Sequence, residues 1–186
     1  MNNDNLHKAG VMLRWLWLAG VVLVADQATK ILANTQLDYH RPVEVFMGLN
    51  MTLSFNEGAA FSFLSDAGGW QRWFFTVLAI AVCAFLIRWM RELKTTEVSL
   101  AVSLSLIIGG AVGNVIDRIY LGHVVDFIDV YYVASSCVPG FGFNGVNQCH
   151  WPIFNIADSA IFVGAFLLII DSLRRKEESS AGDEKA

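Results

Sequence analysis

VSLAVSLSLIIGGAVGNVIDRIYL, residues 98–121, is apolar over most of its length and long enough for a bilayer, whose hydrocarbon takes about 20 helical residues to cross. Towards its end stand Asn114, Asp117 and Arg118, at i, i+3 and i+4, on one helical face that also carries Gly110. Gly109, Gly110 and Gly113 are small residues of the kind that let helix backbones approach closely in lipid. The stretch reads as a membrane span with a polar patch at one end.

Three more windows, roughly 11–31, 73–90 and 153–173, have the same character. With 186 residues, 55% of them hydrophobic and only 16% charged, the chain is too apolar for a soluble domain of this size. Its net charge of -4 supplies no basic footprint for nucleic acid, which excludes that class of partner. The predicted fold class is therefore an all-α membrane protein with four transmembrane helices in a single integral-membrane domain, residues 1–176. A disordered cytoplasmic tail, 177–186, is expected to follow, holding Glu177, Glu178, Asp183 and Glu184. The first window starts like a signal peptide, with Lys8 and Arg14. It ends in Asp26-Gln27-Ala28-Thr29-Lys30 rather than in small residues suited to cleavage, so a retained anchor is expected.

Cytoplasmic flanks keep an excess of Lys and Arg. With both termini inside, the inner side holds Lys8, Arg14, Arg88, Arg91, Lys94, Arg174, Arg175, Lys176 and Lys185, against Lys30, Arg41, Arg72 and Arg118 outside or at the outer boundary. That bias places both termini in the cytoplasm and segments 32–69 and 122–152 outside, which in a bacterium is the periplasmic face of the inner membrane. The short charged link Arg91-Glu92-Leu93-Lys94 favours antiparallel neighbours.

In the first outer segment Met47, Leu49, Met51, Leu53 and Phe55 alternate with Gly48, Asn50, Thr52, Ser54 and Asn56, the period of a half-buried strand. Gly58-Ala59-Ala60 permits a tight turn, after which Phe61, Phe63 and Leu64 form an apolar face suited to the bilayer surface. A small extracytoplasmic β-sheet resting on the membrane surface is expected. The second outer loop, 131–152, is rich in Gly and aromatics and reads as a lid, a membrane-dipping loop or a disulfide-tied insertion. It holds Cys137 and Cys149, which can pair under oxidising conditions, whereas Cys83 is isolated in the second span. The alternative for Cys149, a nucleophile served by the adjacent His150, is disfavoured because sequence neighbours rarely form such a pair.

Ionisable groups in a span cost about 2.5–3.5 kcal/mol on insertion scales, so each needs a reason. Asp26, Asn114, Asp117, Arg118, Asp126, Asn155 and Asp158 all fall towards the outer ends of their spans. Asp117 and Arg118 either neutralise each other or find partners across helices. Asp126 and Asp158 have no basic residue nearby in sequence, and antiparallel packing brings their ends together. Two carboxylates in one low-dielectric site share a proton, which is the machinery of an aspartyl protease. A proton-coupled transporter and a membrane scaffold are the rival classes. A transporter would continue its polar path inward, yet the second span from Phe74 to Ile87 is almost wholly apolar. No metal or other cofactor is expected, since His7, His40, His123 and His150 show no ligand spacing with the carboxylates.

Five blocks together resemble the lipoprotein signal peptidase (signal peptidase II) family: Asp26-Gln27-Ala28-Thr29-Lys30, Asn56-Glu57-Gly58-Ala59-Ala60-Phe61, Gly113-Asn114-Val115-Ile116-Asp117-Arg118, Val124-Val125-Asp126-Phe127 and Phe154-Asn155-Ile156-Ala157-Asp158-Ser159. They occur in the family's order, from the first span to the fourth. The resemblance implies a metal-free aspartic endopeptidase of the bacterial inner membrane. Its implied substrates are prolipoproteins whose cysteine bears a diacylglyceryl group, cut on the N-terminal side of that cysteine. It makes Asp126 and Asp158 the catalytic dyad. Asn56, Gly58, Asn114, Asp117, Arg118 and Asn155 become supporting or substrate-binding residues, and Asp26 with Lys30 shapes the outer end of the first helix. Membrane lipids are the other implied partners, and a monomer suffices because one chain completes the site. The 131–152 loop departs from the pattern in being longer than is usual between the family's last two blocks, which bears on substrate range and lid behaviour rather than on the dyad.

Overall fold

The computed structural model describes residues 12–58, 69–138, 142–143 and 147–183, the last nine by backbone alone. The basic flank at Lys8 and the expected apolar face of Phe61, Phe63 and Leu64 lie outside those residues. Four helices carry the fold: α1 (Leu16–Gln36), α2 (Trp70–Glu92), α3 (Val98–Tyr120) and α4 (Ile156–Asp183). All four contain stretches long and apolar enough to cross a membrane. The first helix runs about a turn further than the hydropathy window, because the polar residues Asp26 to Lys30 are satisfied by neighbours rather than ending it. The fourth continues past residue 176 as far as Asp183.

The helix α3 is the hub. Of its most apolar stretch 61% is buried, against 28% or less in the other three, and α1, α2 and α4 all pack on it. Its glycines make that contact possible. A Cβ on Gly110 would run into the backbone of Ala157 in α4, and one on Gly109 would meet Ala19 of α1 at 2.8 Å. Away from these seams the helices present bare apolar side chains such as Val24, Val77 and Phe162, the surface expected where the solvent is lipid.

The turn that ends α3 delivers the chain to the sheet. Leu121 N–H and Gly122 N–H both donate to the Asp117 carbonyl, and Gly122 takes φ 90°, a left-handed cap that glycine adopts without strain. The chain then doubles back as β3 (Val124–Val133), the central strand of a five-stranded antiparallel sheet. On one side lie β2 (Leu49–Asn56) and β1 (Val43–Phe46), on the other β5 (Gln148–His150) and β4 (Gly142–Phe143). Loop 131–152 therefore contains regular structure that its sequence did not announce.

Between Met51↔Ile128 and Ser54↔Asp126 the β2 strand holds one residue more than its partner, a bulge that shifts the register beside Asp126. The period-two pattern does mark this strand, but in its first half the polar members are the ones turned inward, and at the bulge the apolar Leu53 is buried as well. Asn50 and Thr52 are buried, while Met47, in the turn before the strand, is 86% exposed. The reason is Asp129 of β3, which accepts from Thr52 Oγ1 at 2.8 Å and from Asn50 Nδ2 at 3.4 Å and lies 2.6 Å from His150 Nδ1. A polar network can be buried when its members satisfy one another.

Candidate active site

Asp126 is held on β3 opposite Ser54, only 3% exposed. Its Oδ2 accepts from Asn56 Nδ2 at 3.2 Å and its Oδ1 from Asn155 Nδ2 at 2.7 Å. Asp158 arrives from α4. Asn155 caps that helix: its Oδ1 accepts the Asp158 backbone N–H at 2.9 Å, and Asp158 Oδ2 faces the Asn155 N–H at 3.4 Å, a reciprocal capping box. The same three-residue spacing that starts the helix thus places a carboxylate in its first turn, where the helix dipole favours negative charge. The strand start and the helix start are stitched together just beside the pair, since Phe127 N–H and Ile128 N–H donate to the Phe154 carbonyl. Asn155 therefore touches both carboxyl groups.

Beneath them lies a buried charge cluster. Lys30 Nζ makes three contacts of 2.9 Å, to Asp26 Oδ2, Asp117 Oδ2 and Asn114 Oδ1. Asp26 Oδ1 accepts the Ala157 N–H at 2.9 Å and Asp117 Oδ2 the Val125 N–H at 3.1 Å, so these carboxylates anchor the start of α4 and of β3. Asn114 Nδ2 donates to Asp158 Oδ1 at 2.7 Å. Gly113 belongs to the same arrangement, because a Cβ there would collide with the Asp26 carboxylate.

Asp117 and Arg118 do not neutralise each other. Asp117 pairs with Lys30, whereas Arg118 reaches the Gly58 carbonyl at 3.2 Å and the Asn114 carbonyl at 3.3 Å, with its guanidinium 5.8 Å above the Phe75 ring. Adjacent helical residues point about 100° apart, so they meet different neighbours. Gly58 in turn receives the Asn56 side chain on its N–H at 3.1 Å.

Every residue expected to support the dyad is thus brought to one end of the bundle. Lys30 and Asp26 do more than shape the end of α1: they are 3% and 0% exposed and sit inside the cluster. Gln27 joins the cluster unexpectedly, its Nε2 donating to Asp117 Oδ1 at 2.9 Å; the signal for it in the sequence is a second polar residue at span depth. Asp129 and His150 form a further pair that their positions in the sequence do not reveal. Cys137 and Cys149 form a disulfide, with Cys149 fully buried, so Cys149 is no nucleophile and His150 serves Asp129 instead.

Burial, with the charge of Asp158 second, pushes the Asp126 carboxyl up to about 7, against the smaller opposing effect of the two asparagine amides. At neutral pH Asp126 can therefore hold a proton, while Asp158 sits at a helix N-terminus with an amide donor on Oδ1. One proton on two carboxyl groups can both withdraw a proton from water and donate one to a carbonyl oxygen. Among the described residues no group of three or more His, Cys, Asp or Glu side chains is arranged as a metal site.

Residues 18–174 match the family described as signal peptidase (SPase) II. The chain is 47% identical over 177 residues to the lipoprotein signal peptidase of Aeromonas hydrophila subsp. hydrophila, covering 95% of this chain and 96% of that one. To the lipoprotein signal peptidase of Pseudoalteromonas atlantica it is 48% identical over 165 residues, covering 89% and 92%. A solved structure described as a bacterial membrane enzyme, determined by the in meso method at 2.3 Å resolution, superposes with a TM-score of 0.72 at 32% identity, covering 89% of this chain and 90% of that one. The four membrane-length helices, the small sheet over their ends and these likenesses lead to one assignment: the chain belongs to the signal peptidase II family of aspartic peptidases.

Proposed function

We propose that this enzyme removes signal peptides from prolipoproteins whose cysteine bears a diacylglyceryl group, cutting the bond on the N-terminal side of that cysteine with Asp126 and Asp158 as the dyad. The observation that carries the reading is the pair of amides joining the two carboxyl groups: Asn155 donates to Asp126 and caps Asp158, while Asn114 donates to Asp158.

In the reaction a water oxygen bonds to the scissile carbonyl carbon as Asp158 takes its proton and Asp126 gives its own to the carbonyl oxygen. The tetrahedral diol collapses when the C–N bond breaks. The cysteine nitrogen then receives the proton from Asp158, and Asp126 recovers one from a diol hydroxyl. Both groups end as they began. Asn56, Asn114 and Asn155 hold the carboxyl groups, and Arg118, tied to the carbonyls of Gly58 and Asn114, borders the site beside α2.

The enzyme is a multi-pass protein of the bacterial inner membrane, with both termini in the cytoplasm and the site at the periplasmic face, where the sheet rests on the bilayer surface. This orientation is supported by charge: Arg88, Arg91, Lys94 and Arg174 lie at the ends of the helices opposite the dyad. A lipidated signal peptide reaches such a site within the bilayer, its acyl chains among apolar helices and water entering from outside. One chain completes the site, and the enzyme acts as a monomer.

A gel-shift assay of the purified enzyme on a lipidated precursor and its unlipidated twin tests the substrate. Cleavage of the lipidated form alone is expected, and equal cleavage of both would remove the lipid from the recognition.

A further inference from the structure

We propose that Lys30 is a positioning residue for the reaction, its ammonium holding the side-chain amide of Asn114 in the one orientation that offers an N–H to Asp158. The inference rests on the dyad reading above and goes beyond it, since Lys30 makes no contact with either catalytic carboxyl group.

An ammonium has three N–H donors. Those of Lys30 meet three acceptors at 2.9 Å each, Asp26 Oδ2, Asp117 Oδ2 and Asn114 Oδ1, in a position only 3% exposed. With its donors used, Lys30 has none to offer a substrate, and its effect on the chemistry has to pass through a neighbour. Two of those neighbours spend their other contacts away from the dyad: Asp26 on the Ala157 N–H and the Gln27 amide, and Asp117 on the Val125 N–H and the same Gln27 amide. Only Asn114 leads onward, from its Nδ2 to Asp158 Oδ1 at 2.7 Å.

The orientation of that amide is dictated from behind. Asn114 Oδ1 receives Lys30 Nζ and also Asn155 Nδ2 at 3.2 Å. Turning the amide over would set its NH2 against an ammonium and a second amide donor, and its carbonyl against the Asp158 carboxylate. With Lys30 in place neither contact is tolerable, so Asp158 Oδ1 always meets a donor and is kept as an acceptor. An oxygen that accepts is available to take a proton from water, which leaves Asp126 to carry the shared proton. The charge of Lys30 itself is met by two carboxylates that touch it. Its influence on the dyad is therefore a matter of geometry, relayed by one amide, more than of direct attraction.

The test is the pH dependence of kcat/KM on a lipidated precursor. Lys30→Met alone strands two buried carboxylates and risks the fold, so the variant to use is Lys30→Met/Asp117→Asn, which keeps the net charge of the cluster. With the amide free to turn, the expected result is a kcat lower by about tenfold or more, a KM within about twofold, and an acid limb moved up by about one pH unit. Lys30→Arg, which retains the charge and the donors, is expected to keep the limb at its wild-type pH. A fall in kcat with an unmoved acid limb, or wild-type kinetics in the folded double variant, would overturn the proposal. If the double variant does not fold, Asn114→Ser takes its place: the same upward limb is expected, and an unmoved one overturns the relay. Asp158→Asn run alongside separates the two readings, because turnover by that variant would overturn the dyad itself.

Discussion

Asn155 Nδ2 donates to Asp126 Oδ1 at 2.7 Å, from a residue whose side-chain oxygen caps the helix that carries Asp158. A strand residue and a helix residue 32 positions apart are thereby set against each other by one amide, and the distance between them is fixed by secondary structure rather than by loops. Sites built in this way hold their geometry before the substrate arrives.

Because Asn155 combines both tasks, Asn155→Ala is expected to lose stability and turnover together. Loss of a helix cap costs about 0.5–2 kcal/mol, and loss of the bond to Asp126 is expected to lower kcat by about tenfold or more. Thermal unfolding in detergent and turnover of a lipidated precursor measure the two effects. A variant as active as wild type would show that the amide is only a cap.

Burial and the neighbouring Asp158 push the Asp126 carboxyl up to about 7, so the proton that the proposed mechanism draws from this residue is lost as pH rises through that value. Activity is expected to fall on the alkaline side near neutrality. His123 does not supply that limb, because burial pushes its imidazole down and leaves it neutral there. Stability has the same sign: a carboxyl raised in the folded state contributes fully below its ordinary value of 3.8, and that contribution is lost progressively as pH rises to about 7. Asp126→Asn mimics the protonated form and removes that loss, so its unfolding temperature should fall less than that of wild type on going from about pH 4 to about pH 7.5. Parallel pH profiles of stability for the two proteins would contradict the assignment.

The disulfide closes a 12-residue separation between the end of β3 and β5, and it lies apart from the dyad. Cys137→Ser or Cys149→Ser is expected to cost stability, about 2–4 kcal/mol by loop-closure reasoning, with most turnover kept. Unfolding curves of wild type with and without reductant, set beside the serine variants, check this. Complete loss of turnover in folded Cys149→Ser would mean that the sheet takes part in the reaction.

Much of this was legible in the residues. Hydropathy found the four spans, and Asp126 and Asp158 stood out as carboxylates at membrane depth with no basic residue nearby in sequence. The direction in which β2 faces was not legible. In a chain partly solvated by lipid, alternation of Met51 and Leu53 with Asn50 and Thr52 marks a strand without saying which side is inside. That depended on Asp129, 77 positions further on than Thr52. Partners in the charge cluster were hidden for the same reason: Lys30 and Asp117 share a bond across 87 positions of sequence, and only packing of α1 on α3 reveals it. The neighbouring Arg118 looked like the obvious partner of Asp117 and is not.

The most direct measurement is turnover of one lipidated precursor by wild type, Asp126→Asn and Asp158→Asn, each shown to be folded in the same detergent. Cleavage by wild type and none detectable by either variant, a loss of at least about a thousandfold, is the expected result. Cleavage by either folded variant at a rate near that of wild type would contradict the dyad and remove that carboxyl group from the chemistry.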